Sequence, residues 1–130
     1  MIVTDASALL ELLLHTPAAG AVEARLFAPR QTWHAPHLLD IELAQVIRRY
    51  VAREEITAAR GRAALDDLAL LPLHRYPHDI LLPRVWELRR NLTACDAAYV
   101  ALAEALDAPL LTRDHGLATA PGHRARVELV

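Results

Sequence analysis

The chain has no lysine: all fourteen of its Lys/Arg cations are arginine. That absence removes a P-loop nucleotide site, which needs a lysine on the phosphates, and any Schiff-base chemistry. A single cysteine, Cys95, leaves no disulfide to staple the fold, so a reducing compartment is the default. No charged segment followed by an apolar one opens the chain, and no apolar run approaches the ~20 residues of a membrane span. The expectation is a soluble, cytoplasmic protein with no membrane contact. A basic surplus is missing too. The net charge is -2, so a role on nucleic acid needs a local basic patch or metal ions rather than a global attraction.

What is present suits one domain over 1–130. The 130 residues are 54% hydrophobic, ample for a single sizeable core, and no repeat, low-complexity tract or linker interrupts them. Apolar run and periodicity predict a strand at Met1–Thr4, then helices at Ser7–Leu14 and from Pro17 to about Ala28. A second strand is expected at Gln31–His34. A long helix follows from His37 to about Arg53 and another over Thr57–Leu71. A third strand reads at Pro72–Tyr76. His78–Arg90 is helical, with Pro83 kinking it or marking its true start. Thr93 caps a helix that is almost wholly apolar from Ala97 to Leu106. Pro109–Thr112 is a strand, His115–Ala120 a helical turn and Arg126–Val130 an edge-like strand. Strands alternating with helices predict an α/β fold, a three-layer α/β/α sandwich with a mainly parallel twisted sheet.

Within that order, Asp5 and Asp114 each follow the carboxyl end of a strand, and Asp96 lies in the first turn of a helix. Ligands of open α/β sheets bind at the strands' carboxyl ends, where strand order reverses. Glu42, Gln45, Arg49 and Arg53 form one narrow stripe on their helix, so Glu42 could join the three aspartates. Like charges so gathered repel, and protons or a cation must hold them together. Oxygen-only ligands suit Mg²⁺ or Mn²⁺, which polarise a phosphoryl oxygen and activate a water. Each acid also has a plain structural reading. Asp5 and Asp114 are natural helix caps, Asp96 suits a helix dipole, and Glu42 fits a solvated stripe. Capping explains them one at a time; a metal site explains them together. Other chemistries fare worse. A phosphoacceptor receiver needs a lysine, and a haloacid-dehalogenase-like phosphatase needs an acid where Ser7 stands. Zinc on His34, His37 and Cys95 lacks any ligand spacing.

Four segments resemble the motifs of the PIN-domain nucleases, specifically the VapC-like toxins of type II toxin–antitoxin modules. They are Ile2–Ala8 (IVTDASA), Ala35–Glu42 (APHLLDIE), Leu92–Ala103 (LTACDAAYVALA) and Leu111–Leu117 (LTRDHGL). The order and spacing of the four carry the resemblance. It departs at Cys95, where an aromatic often precedes the third acid. The resemblance implies that Asp5, Glu42, Asp96 and Asp114 hold Mg²⁺ or Mn²⁺, with Ser7 and Thr112 supporting them. It further implies that strands one and four lie side by side. The activity it implies is that of an endoribonuclease that hydrolyses RNA phosphodiester bonds to a 3′-hydroxyl and a 5′-phosphate.

Arg49, Arg53 and Arg113 are candidate contacts to the RNA backbone, although helix arginines are more often solvated. The resemblance also implies a homodimer and a hetero-oligomer with a small cognate antitoxin protein. The helices at the N-terminus, at Pro17–Ala28 and at Thr57–Leu71 are candidate contact surfaces. The alternative is a PIN-like module that only binds RNA or a partner. Four acids gain nothing for that role.

Overall fold

A computed structural model describes residues 1–130. The twelve elements come in the expected order: β1 (Ile2–Thr4), α1 (Ala6–Leu13), α2 (Ala19–Leu26), β2 (Trp33–Pro36), α3 (Leu38–Ala52), α4 (Ala58–Leu70), β3 (Leu73–Tyr76), α5 (Leu82–Glu87), α6 (Ala94–Leu106), β4 (Leu110–Thr112), α7 (His115–Thr119) and β5 (Val127–Leu129). All four strand pairings are parallel, and the sheet runs β3-β2-β1-β4-β5. From β1 the chain winds outward through β2 to β3, then crosses back to build β4 and β5 on the other side. The reversal therefore falls between β1 and β4, where Val3 pairs with Leu110 and Thr4 with Leu111.

Strands buried on both faces are mainly apolar, and β1 (IVT) and β4 (LLT) are buried along their whole lengths, each ending in a threonine. One layer is α6, lying along β1, β2 and β4 with α5 packed beside it; α1 packs on β4 together with α2, α3 and α4. This is the α/β/α sandwich expected. The core is one cluster of 28 buried residues to which β1, β4 and seven consecutive residues of α6, Ala97–Ala103, contribute. Small alanines at four of those seven positions let α6 approach the sheet closely. The helix starts at Thr93, whose hydroxyl accepts from the Asp96 N–H, and stops where Asp107 takes a left-handed conformation (φ 48°). Pro109, two residues on, ensures that the helix does not resume.

Several boundaries differ from expectation: α2 is Ala19–Leu26 rather than Pro17 to about Ala28, and β2 and α5 depart most in register and length. The second strand lies at Trp33–Pro36, not Gln31–His34, because its pairing with β3 runs on to Pro36 opposite Tyr76. On the β1 side the ladder ends at His34, so the N–H that proline lacks is not needed there. Helix α3 consequently begins at Leu38, and its first N–H is accepted by His78 Nε2 at 2.8 Å rather than by an ordinary cap. The other large departure is α5, only Leu82–Glu87, in which Pro83 marks the start rather than a kink. His34 on β2 is buried and bonds Thr32 Oγ1 and the Tyr76 hydroxyl at 2.8 and 2.7 Å.

Candidate functional site

The carboxyl ends of β1 and β4 deliver two acids to the point of reversal. Asp5 follows β1 directly, its N–H bonded to Leu111 O at 3.2 Å, and Asp114 lies two residues past Thr112. Both are helix caps as well. Asp5 Oδ1 accepts from the Ala8 N–H at 3.0 Å, at the start of α1. Asp114 Oδ1 accepts from the N–H groups of Gly116 and Leu117 at 2.8 and 3.4 Å, at the start of α7. The plain reading of these residues is thus true and compatible with a further role. A cap uses one oxygen of a carboxylate and fixes the direction of the other.

Asp5 is the most constrained acid. It is only 7% exposed, and Ser7 Oγ donates to Oδ1 at 2.7 Å while Thr112 Oγ1 donates to Oδ2 at 2.5 Å. Both hydroxyl protons are committed to the carboxylate, so the 3.3 Å approach of the two oxygens is a contact and not a third bond. Each hydroxyl accepts in turn from the backbone, Ser7 from the Arg113 N–H at 2.9 Å and Thr112 from the Asp114 N–H at 3.0 Å. Thr112 therefore couples the acid after β1 to the acid after β4.

The other two acids come from helices. Glu42 lies on the stripe of α3 that faces the sheet edge, and Asp96 in the first turn of α6. Together with Asp5 and Asp114 they line one cleft of about 510 Å³, beside Ser7, Gln45, Arg49 and Tyr99. Of the residues singled out in the sequence, Asp5, Ser7, Glu42, Arg49, Asp96 and Asp114 line this cleft, and Thr112 is buried beneath it. Arg53 lies just past the last residue of α3 and does not line it. Arg113 points elsewhere, donating to Val130 O at 2.8 Å with its Nε 3.4 Å from Glu11. Residues His34, His37 and Cys95 form no zinc cluster.

The acids of this cleft differ electrostatically from the rest of the chain. Outside the cleft, every acid that is at least partly buried has an arginine: Glu11 with Arg113, Asp40 with Arg75, Glu104 with Arg84 and Glu128 with Arg25; within it, Asp5, Glu42 and Asp96 are buried to that degree and Asp114 is exposed. None of the four cleft acids is in any ion pair. Burial pushes the Asp5 carboxyl above the usual range, pulled partly back by its bonds to Thr112, Ser7 and Ala8. Glu42 is raised by burial and by the charges of Asp96 and Asp5, and Asp96 by burial and by Asp114. The acids thus feel one another, and Arg49, which lines the same cleft, is not within ion-pairing distance of any of them.

Sequence reasoning missed Tyr99 as part of this site. It is 1% exposed, one turn beyond Asp96 on α6, and its hydroxyl donates to Glu42 Oε1 at 2.6 Å. Burial and the negative Glu42 push the phenol well above its ordinary range, so it remains a donor. The signal available was a lone tyrosine in an otherwise aliphatic helix, at i+3 from an acid.

The donor set fits a hard dication, being oxygen only and without a competing counter-ion. In this structure no three of the chain's His, Cys, Asp or Glu side chains stand close enough together to hold a metal ion.

Fold and cleft define a doubly wound α/β protein with an anionic site at its switch point. Its sequence matches the PIN domain over residues 2–122. It is 46% identical to ribonuclease VapC1 of Mycobacterium tuberculosis over 129 residues, 98% of this chain and 96% of that protein. Ribonuclease VapC12 of the same organism is 45% identical over 100% of this chain and 99% of its own length. Among solved structures, VapBC2 from Rickettsia felis, bound to a DNA fragment from its promoter, shares the fold with a TM-score of 0.69 at 16% identity. That match covers 99% of this chain and 98% of the other. The chain belongs to the PIN-domain family and, within it, to the VapC ribonucleases.

Proposed function

We propose that this chain is the endoribonuclease toxin of a toxin–antitoxin pair, cleaving RNA at the cleft lined by Asp5, Glu42, Asp96 and Asp114. The observation that carries the proposal is that Asp5, Glu42 and Asp96, all at least partly buried in one cleft with Asp114, have no arginine in a chain that pairs every other acid buried to that degree. Mg²⁺ or Mn²⁺ is the cation they would hold. Bound there, it would supply charge stabilisation to a phosphoryl oxygen and lower the pKa of a water.

The chain's own residues do the positioning. Ser7, Thr112 and the Ala8 N–H fix Asp5, and the start of α7 fixes Asp114. Arg49 lines the same cleft on α3 with no acidic partner, so it is free to take a backbone phosphate leading toward the acids. Arg53 lies beyond the end of the same helix and would meet RNA farther from the reacting bond. Arg113 would have to leave Glu11 first.

The ribonucleases among its relatives favour RNA as the substrate, and a toxin that cleaves the RNA of its own cell would act in the cytoplasm. The structural likeness to a toxin–antitoxin complex from Klebsiella pneumoniae (TM-score 0.64) favours a small cognate antitoxin as partner, and the homodimer stands on the family resemblance alone. An apolar groove where Leu12, Leu13, Phe27, Leu70 and Leu71 meet supports seating a partner across α1, α2 and α4.

The test is to incubate antitoxin-free protein with total cellular RNA and map new 5′ ends, with Mg²⁺ or Mn²⁺, with EDTA, and with Asp96→Asn. Discrete cuts that require the metal and vanish in the variant are expected. Cuts that persist in EDTA would remove the acidic cleft from the chemistry.

A further inference from the structure

Three of the four cleft acids have an evident reason to point where they do. Asp5 is held through both oxygens, Asp114 caps α7, and Asp96 is a short side chain in the first turn of a buried helix. Glu42 is different. It is the longest of the four, it stands on α3 across the cleft, and its one protein partner is the Tyr99 hydroxyl. We propose that Tyr99 is the positioning residue for Glu42, holding one carboxylate oxygen so that the other faces the cation.

Two features of the contact support this. Tyr99 and Asp96 are three residues apart on one turn of α6, so the bond to Glu42 ties α3 to the helix that carries another acid of the site. The Glu42-to-Asp96 spacing is then set by a rigid, buried ring rather than by a flexible side chain. The donor is also neutral. An arginine in its place would orient Glu42 but cancel its charge, as Arg84 does for Glu104 and Arg75 for Asp40. A phenol orients the carboxylate and leaves its charge for a dication. Partners of metal ligands that act in this way typically contribute roughly 10–100-fold in metal affinity or activity.

The inference rests on placing Glu42 in the metal site, and the experiment separates the two. Tyr99→Phe and Glu42→Gln are compared with the unmodified protein by Mn²⁺ titration calorimetry and by kcat and KM on a cleaved RNA. Far-ultraviolet circular dichroism checks that each variant is folded. Tyr99→Phe should bind Mn²⁺ roughly 10–100-fold more weakly and lose kcat, with KM for RNA close to that of the unmodified protein. Normal Mn²⁺ affinity and kcat in Tyr99→Phe, beside a defective Glu42→Gln, would overturn the positioning role alone. Normal behaviour in both would overturn the metal-site assignment of Glu42 itself. A measurement on the unmodified chain covers the case in which Tyr99→Phe does not fold. With tyrosines labelled at Cζ, Mg²⁺ should move the Tyr99 resonance and leave those of Tyr50 and Tyr76 in place. A Tyr99 resonance that stays fixed at saturating Mg²⁺ would refute the proposal.

Discussion

Thr112 gives the sharpest test of how the site is held. It is fully buried, and its hydroxyl donates to Asp5 Oδ2 while accepting from the Asp114 N–H. Thr112→Val keeps the shape and removes both bonds. A hydrogen bond to a charged group contributes about 1.5–3 kcal/mol and a neutral one about 1 kcal/mol, so the variant should lose about 3 kcal/mol at neutral pH. That is a large share of the ~5–15 kcal/mol typical of a domain. The loss should depend on pH, and its sign follows from Asp5. Burial already raises the folded-state pKa of Asp5 above its unfolded value, and the Thr112 bond is the largest effect opposing that rise. The variant raises it further. The fold then favours the protonated acid more strongly, so the added cost is full above the folded pKa and disappears as pH falls below it. Urea unfolding in EDTA at a series of pH values from 7.5 downward measures both quantities, with Thr112→Ser as the control that keeps both bonds. A loss at pH 7.5 below about 0.5 kcal/mol, or one that does not shrink as pH is lowered toward the unfolded carboxyl range, would refute the account, 0.5 kcal/mol being what an indifferent substitution gives.

Two further outcomes follow from the same electrostatics. Asp5, Glu42 and Asp96 all have folded-state pKa values raised above the unfolded ones. The metal-free protein should therefore gain stability from these groups as pH falls through the folded values, and Mg²⁺ should raise the melting temperature more at pH 7.5 than at pH 5. Thermal melts with Mg²⁺ and with EDTA check this; an equal Mg²⁺ effect at both pH values would count against carboxylate binding. Arg49→Ala should weaken RNA binding and reduce the salt slope by about 0.7, one phosphate contact on a single strand. Arg53→Ala should do less, because it lies outside the cleft; the reverse order in filter-binding titrations would move the RNA path.

The sequence made the order of elements legible because its signals were local. Thr93 announces α6, the apolar run Ala97–Ala103 announces its burial, and Asp107 with Pro109 ends it. The β2 boundary was hidden because Pro36 reads as a helix opener when its true constraint is a strand partner forty residues away, Tyr76. Asp5, Glu42, Asp96 and Asp114 were legible as a set only by motif spacing, since each alone is a competent cap or surface acid. What distinguishes the buried and half-buried ones, Asp5, Glu42 and Asp96, is the missing arginine, and that was not legible at all. Which arginine meets which acid is decided by chain separations such as the 103 residues between Arg25 and Glu128, or the 20 between Arg84 and Glu104. The Tyr99–Glu42 bond, across 57 residues, was out of reach for the same reason.

Unpaired acids in a cleft imply a cost to the fold that metal binding relieves, and Asp96 shows how to measure it. Two effects compete at this residue. As an acid in the first turn of α6 it gains from the helix dipole, by about 0.3–1 kcal/mol. Burial and the nearby Asp114 act against its charge. The folded-state pKa is raised, so in the metal-free protein the opposing effects win and the charged form is the strained one. A neutral isostere removes that strain. Asp96→Asn should abolish cleavage, yet at pH 7.5 in EDTA it should be slightly more stable than the unmodified chain. The gain should stay within about 1 kcal/mol, the range of partly exposed charges. It should vanish at acid pH, where the unmodified Asp96 is itself protonated, and reverse when Mg²⁺ is added. Paired urea melts across pH, with and without Mg²⁺, decide it. An unmodified protein more stable than Asp96→Asn at pH 7.5 in EDTA would mean that the dipole dominates, and that no electrostatic strain is stored at Asp96.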